Sequence, residues 1–112
     1  MTRTLILTRH AKSAWDDPGQ DDHDRPLNTR GHRAARDLGL WMASRGYHPD
    51  QVMSSTAQRT RDTWDGIAPA LTDAPTPTWL ESLYHAGPDQ MLDALRTATG
   101  ETVLMIGHNP GI

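Results

Sequence analysis

The segment Thr102 to Ile106 is a continuous apolar run with no polar alternation. That is the pattern of a strand buried on both faces, and it requires a sheet covered from two sides. Thr4 to Thr8 is a second short, β-rich apolar run and also reads as a buried strand. Helical periods lie between the two. Asn28 or Thr29 can cap a first helix, whose core-facing stripe is Ala34, Leu38, Trp41 and Met42 and whose end is Gly46. Arg30, Arg33 and Arg36 fall on its solvated side. A short strand around Gln51 to Met53 follows, and then Ser55 and Gln58 stand at capping-box spacing, which puts Arg59 in the first turn of a second helix. Trp79 to Leu83 reads as a short extended segment or edge strand. Gly87-Pro88-Asp89 opens a third helix with Met91, Leu92, Leu95 and Ala98 as its apolar stripe, ended by Gly100. Parallel strands need crossover connections, so strands alternating with helices predict an α/β fold: a three-layer α/β/α sandwich with a mostly parallel sheet.

Length sets the scale of the core. The 112 residues suffice for one domain spanning 1–112. The net charge of -3 gives no basic excess to concentrate nucleic acid or anionic membrane, so neither is an expected partner. No apolar run approaches the roughly 20 residues that span a bilayer. Without cysteine there is no disulfide framework and no thiol nucleophile, which suits a cytoplasmic protein; a monomer is the expected state. Asn109-Pro110 has the form of a helix start, with Asn as cap and Pro as first helical residue, yet the sequence stops two residues later. The expectation is a truncated or minimal version of the fold, lacking a C-terminal helix and strand.

In parallel sheets, ligands bind outside the carboxyl ends of the strands. Two strand ends carry Arg9-His10 and Gly107-His108, and the second helix brings Arg59 in its first turn, beside free amides and a positive dipole end. Two arginines around imidazoles suit phosphoryl transfer, in which equatorial oxygens are clamped while a nucleophile attacks in line. His10 is the candidate nucleophile, since a neutral imidazole can attack phosphorus to give a labile phosphohistidine. His108 is a candidate donor to a phosphoryl oxygen. The leaving group calls for an acid, and Glu81, Asp16 and His85 are available. Glu81 is favoured because it follows the apolar Trp79-Leu80, where partial burial would raise its pKa. Six histidines raise the question of a metal, but no pair is spaced four apart and there is no cysteine, so no metal site is expected.

These residues fall within ordered motifs. Leu7-Thr8-Arg9-His10-Ala11-Lys12-Ser13 resembles the Arg-His-Gly signature of the histidine phosphatase superfamily, which includes cofactor-dependent phosphoglycerate mutase, with Ala11 at the glycine position. Pro26-Leu27-Asn28-Thr29-Arg30-Gly31 is similar to its Leu-Thr-x-x-Gly segment. Ser55-Thr56-Ala57-Gln58-Arg59, with Thr63, resembles its second-arginine motif, and Gly107-His108-Asn109-Pro110 its second-histidine motif. The resemblance implies a phosphoglycerate mutase-like fold, His10 as the phosphorylated nucleophile, and a phosphate pocket of Arg9, His10, Arg59, His108 and Ser13. It implies Glu81 as the acid and neither metal nor cofactor. The small size is similar to the compact phosphohistidine phosphatase branch, and this implies phosphohistidine in phosphotransfer proteins as substrate. The alternatives are a broad small-molecule phosphomonoesterase and an inactive phosphate-binding relative.

Overall fold

The computed structural model describes residues 3–108. Four strands, β1 (Thr4–Arg9), β2 (Gln51–Ser55), β3 (Thr78–Leu80) and β4 (Thr102–Gly107), form one sheet in the order β1-β4-β2-β3, and every pairing is parallel. Three helices, α1 (Thr29–Ser44), α2 (Gln58–Ile67) and α3 (Pro88–Leu95), supply the crossovers. This is the expected α/β sandwich.

β4 is central and its residues Val103 to Gly107 are buried. Its side chains alternate between two cores. Leu104 and Ile106 pack with Met42 of α1, Val52 of β2, and Trp64 and Ile67 of α2. Val103 and Met105 pack with Met53 of β2 and with Leu83, Met91 and Ala94 on the α3 side. Each such side chain removed from water contributes roughly 1.5–3 kcal/mol, so this strand anchors both layers.

Several local expectations are corrected. β1 was expected to be buried, but it is an edge strand, and Leu5 and Leu7 are 45% and 47% exposed. The register explains this: Leu5 and Leu7 pair with Val103 and Met105, and α3 covers those partners rather than β1. On the opposite face, Ile6 packs against the α1–α2 core. In α1 the Asn28 cap is present, its Oδ1 accepting the Gly31 N–H at 2.7 Å. The buried face, however, is Gly31, Ala35, Gly39 and Met42, while Ala34 and Trp41 are exposed. Close approach of α2 selects Ala35 and Gly39, while Gly31 lies against the Lys12 backbone. A Cβ at Gly39 would lie 2.6 Å from the Ile67 carbonyl oxygen, and one at Gly66 would lie 2.6 Å from Ala35 Cβ. The capping box at Ser55 and Gln58 does not form: α2 begins at Gln58 after Ala57, and the Gln58 side chain donates to Asp62 instead. α3 ends at Leu95, well before Gly100, and buries Met91 and Ala94 while Leu92 is half exposed. The helix start read at Asn109-Pro110 lies outside the described residues. Among those described, no helix is long and apolar enough to cross a membrane.

The α1–α2 seam makes a prediction. Gly39→Ala forces backbone apart, and it should lower the unfolding free energy by about 1–3 kcal/mol despite the better helix propensity of Ala. Denaturant titration of the two proteins measures the difference; an unchanged midpoint would show that the helices do not approach so closely.

Candidate active site

Strand order determines what meets at the carboxyl edge of the sheet. β1 and β2 flank β4, so the residues following each of the three converge. The His10 N–H donates to the Gly107 carbonyl at 3.0 Å, which carries the β1–β4 ladder one residue past the strand and brings His10 beside His108. Their ring centroids are 5.3 Å apart. From the end of β2 the chain turns directly into α2, whose second residue is Arg59, buried at 3% exposure.

A cavity of about 310 Å³ opens at this edge, lined by Arg9, His10, Ser13, Trp15, Asp22, Arg25, Arg59, His85 and His108. Of the residues expected in the site, Arg9, His10, Ser13, Arg59 and His108 thus share one cavity. Glu81 is not among the lining residues. Partial burial was expected for it, but it is exposed at the start of the 3-10 turn Glu81–Leu83, because the chain leaves the sheet there and turns outward. Asp16 is also exposed and lines a neighbouring cleft. His85 does line the cavity, with a left-handed backbone at φ 57°.

The hydrogen bonds of His10 fix its chemistry. Nδ1 lies 2.6 Å from the Ala11 carbonyl oxygen, which can only accept, so Nδ1 carries the proton and Nε2 of the neutral ring holds the free lone pair. Burial lowers the His10 pKa, the Ala11 hydrogen bond partly offsets this, and the charges of Arg59, Arg9 and Arg25 lower it further. His108 is pushed down to about 3, by burial first and then by Arg59 and His10. Its Nε2 lies 2.8 Å from Ser55 Oγ, and its Nδ1 is buried without a hydrogen-bond partner among the described residues.

Four residues of the site were not singled out by sequence reasoning: Asp22, Arg25, Tyr84 and Trp15. Asp22 is the hub of the group. Its carbonyl oxygen accepts from Arg59 Nη1 at 2.7 Å, and its carboxylate accepts from Arg59 Nη2 at 3.0 Å, Arg25 Nη2 at 3.1 Å and the Tyr84 hydroxyl. The Tyr84 hydrogen bond, with those from Arg25 and Arg59, holds this carboxyl well below the usual carboxylate range. Arg25 also donates to Ser13 Oγ and stacks its guanidinium 3.6 Å from the ring centroid of Trp15, which is 78% exposed. No sequence signal separated Asp22 from Asp21 and Asp24 in a loop without period. Among the described residues, no group of three or more His, Cys, Asp or Glu is arranged to hold a metal ion.

The chain matches the histidine phosphatase superfamily (branch 1) over residues 5–83. It belongs to that superfamily. It is similar to an uncharacterized protein of Mycobacterium tuberculosis, 40% identical over 104 residues, which covers 91% of this chain and 63% of that protein. A crystal structure assigned as phosphohistidine phosphatase SixA from Agrobacterium tumefaciens superposes with a TM-score of 0.91 at 33% identity, covering 99% of this chain and 72% of that one. A structure of the protein histidine phosphatase SixA complexed with tungstate gives a TM-score of 0.80 at 25% identity, covering 95% and 69%. The chain spans from 56% to 65% of the length of the curated relatives it matches.

Burial of a neutral His108 links the site to stability. In the unfolded chain this imidazole takes up a proton near its ordinary value of 6.5, whereas the folded protein refuses it down to about 3. Stability is therefore full above pH 6.5 and falls as the pH drops through that window, at up to about 1.4 kcal/mol per pH unit. His108→Gln should flatten the slope of unfolding free energy between pH 6 and pH 4.5, a range above the ordinary Asp value. Equal slopes for the two proteins in denaturant titrations would contradict the burial argument.

Proposed function

We propose that the protein is a metal-independent phosphatase acting through a covalent phosphohistidine on His10, and that it removes phosphate from phosphohistidine in phosphotransfer proteins. The observation that carries this reading is the pinned Nδ1 of His10, which leaves a neutral Nε2 lone pair in a cavity shared with Arg9, Arg25 and Arg59. In the first step Nε2 attacks phosphorus in line. The bond from phosphorus to the leaving group breaks and its electron pair departs with that group; a phosphohistidine already protonated on its other ring nitrogen leaves as neutral imidazole and takes up no further proton. Arg9 and Arg59 hold the equatorial oxygens, and His108 donates to one of them. In the second step water attacks the phosphohistidine, giving phosphate and free His10. Ser13 acts through Arg25, to which it is hydrogen bonded.

The nature of the leaving group separates the substrates. Among the described residues Asp22 is the one carboxylate lining the cavity, and its lowered pKa keeps it ionised, so it has no proton to give near neutrality. An alkoxide leaving group needs an acid, whereas the imidazole of a phosphohistidine leaves readily with a proton already on its other nitrogen. This favours phosphohistidine over alkyl phosphates, and the SixA likeness supports the same direction. The alternative, a broad phosphomonoesterase, would draw the proton from Glu81 or His85. A second alternative is an inactive phosphate-binding relative. Residues 1–112 are read as one domain, and a cytoplasmic location suits the absence of cysteine.

Phosphate release should be measured with a phosphohistidine peptide and with glycerol phosphate, in the presence of chelator. The peptide should be hydrolysed with the higher kcat/KM. His10→Ala should abolish release, together with the acid-labile, base-stable phosphate trapped on the protein. Arg59→Ala should lower kcat by about 10²–10³-fold. Equal turnover of both substrates would move the reading to a general phosphomonoesterase, and tungstate binding by a folded protein without any release would move it to an inactive relative. A lowered His10 pKa also keeps the nucleophile neutral in mild acid, so the acid limb of kcat/KM should have its midpoint below 6.5.

A further inference from the structure

His108 is neutral throughout the working range, because burial and the neighbouring Arg59 hold its pKa near 3. A neutral imidazole has one N–H, and which nitrogen bears it decides whether the ring meets a phosphoryl oxygen as a donor or as a lone pair. The surroundings of Ser55 decide this. Ser55 is the last residue of β2 and is fully buried. Its hydroxyl can donate once and accept twice. The Ala57 N–H donates to Oγ at 3.2 Å, and His108 Nε2 lies 2.8 Å away. If Nε2 carried the proton, Oγ would accept from both neighbours, and among the hydrogen bonds of the described residues its own hydrogen would have no acceptor. If Nε2 is bare, the hydroxyl donates to it and all three groups are satisfied. The proton of His108 is then on Nδ1, the buried nitrogen that has no partner among the described residues. An unfilled donor on a ring lining an arginine-rich cavity suits an anionic oxygen, which can only accept.

We infer that Ser55 is a positioning residue that locks His108 in its Nδ1–H tautomer and thereby makes the ring a neutral donor to a phosphoryl oxygen. The donor role rests on the phosphatase reading above; the tautomer does not. His10 and His108 would then share a protonation pattern with opposite uses, since a carbonyl holds the proton on Nδ1 of the nucleophile and a serine hydroxyl holds it on Nδ1 of the donor. Ser55 also connects the two ends of the site: its Oγ receives the amide at the cap of α2, the helix that carries Arg59, and contacts the ring that follows β4.

The test is nitrogen NMR on the whole chain with ¹⁵N-labelled histidine, combined with tungstate titration. In the wild type at pH 7, His108 should show a protonated Nδ1 and a bare Nε2. The reverse assignment overturns the inference, and this arm needs no variant. Ser55→Ala should give mixed tautomers and at least a tenfold weaker Kd for tungstate, while Ser55→Thr, which keeps the hydroxyl, should restore both. A Ser55→Ala protein that keeps a pure Nδ1–H tautomer removes Ser55 as the lock. Mixed tautomers with unchanged tungstate affinity remove the donor role. If the wild type has the expected tautomer and binds tungstate but releases no phosphate from any donor, the phosphatase reading fails while the assignment to Ser55 stands.

Discussion

The candidate site depends on the parallel pairing of β4 with β1 on one side and β2 on the other. A parallel sheet sends all its strands toward one edge, so three separate stretches of sequence end within reach of one another. The pairing needs β4 to be apolar throughout, since each face lies against a different core. The chain then changes character at once, from Ile106 at 0% exposure to a glycine and the imidazole of His108. That change places a titratable ring at the edge of the driest part of the molecule. Its lowered pKa follows first from that burial and then from the charge of Arg59 beside it.

Concentrating cations at this edge has a cost, which Asp22 offsets. Arg25 and Arg59 are both more than nine-tenths buried, and a buried guanidinium without a counter-charge is strongly unfavourable. Asp22 meets both, Arg25 through Oδ1 and Arg59 through Oδ2, and Oδ2 also accepts from the Tyr84 hydroxyl, with His85 Nε2 3.6 Å away. Its side chain is still partly open to water, so the screened attraction is worth less than its geometry suggests. The larger effect is orientation. With Nη1 and Nη2 of Arg59 both committed to Asp22, the guanidinium plane is fixed before any ligand arrives, which lowers the entropy lost on binding. Arg25 is fixed likewise between Ser13, Asp22 and the Trp15 ring.

What could be read in the sequence follows from how local each signal is. Thr102 to Ile106 was legible because two-sided burial leaves no room for polar residues, and the placement of Arg9, His10, Arg59 and His108 followed from strand ends and a helix start. The buried face of α1 escapes periodicity because its seam with α2 is made of Ala35 and Gly39, and Gly31 lies against the Lys12 backbone; small residues enable such contacts, whereas periodicity looks for large apolar groups such as Trp41. Composition cannot mark β1 as partly exposed, because Leu5 and Leu7 are as apolar as Val103 and Met105. Only the position of α3 separates the pairs. Asp22 was invisible for a different reason: its role depends on a contact with Arg59 across 37 positions, and nothing in Asp21-Asp22-His23-Asp24 marks the second residue. Ser55 was noticed as a helix cap, and that reading found the right atom for the wrong partner.

The two basic residue types in this cavity divide the work by their response to burial. Arginine keeps its proton at any working pH, so Arg59 brings a permanent charge into a dry place and needs Asp22 beside it. Histidine responds by giving its proton up, and the charges of the arginines push it further in that direction. Desolvation, which works against the guanidinium, therefore serves the imidazole. It leaves His10 with a lone pair instead of a proton, and it leaves His108 with a single hydrogen whose location a neighbouring hydroxyl can dictate. A site composed only of arginines would bind an anion without a nucleophile, and one composed only of buried imidazoles would lack the charge to hold it. The carboxyl edge of a parallel sheet supplies the gradient from dry core to solvent along which both can be placed, with the imidazoles at the strand ends and Arg59 at the start of the adjoining helix.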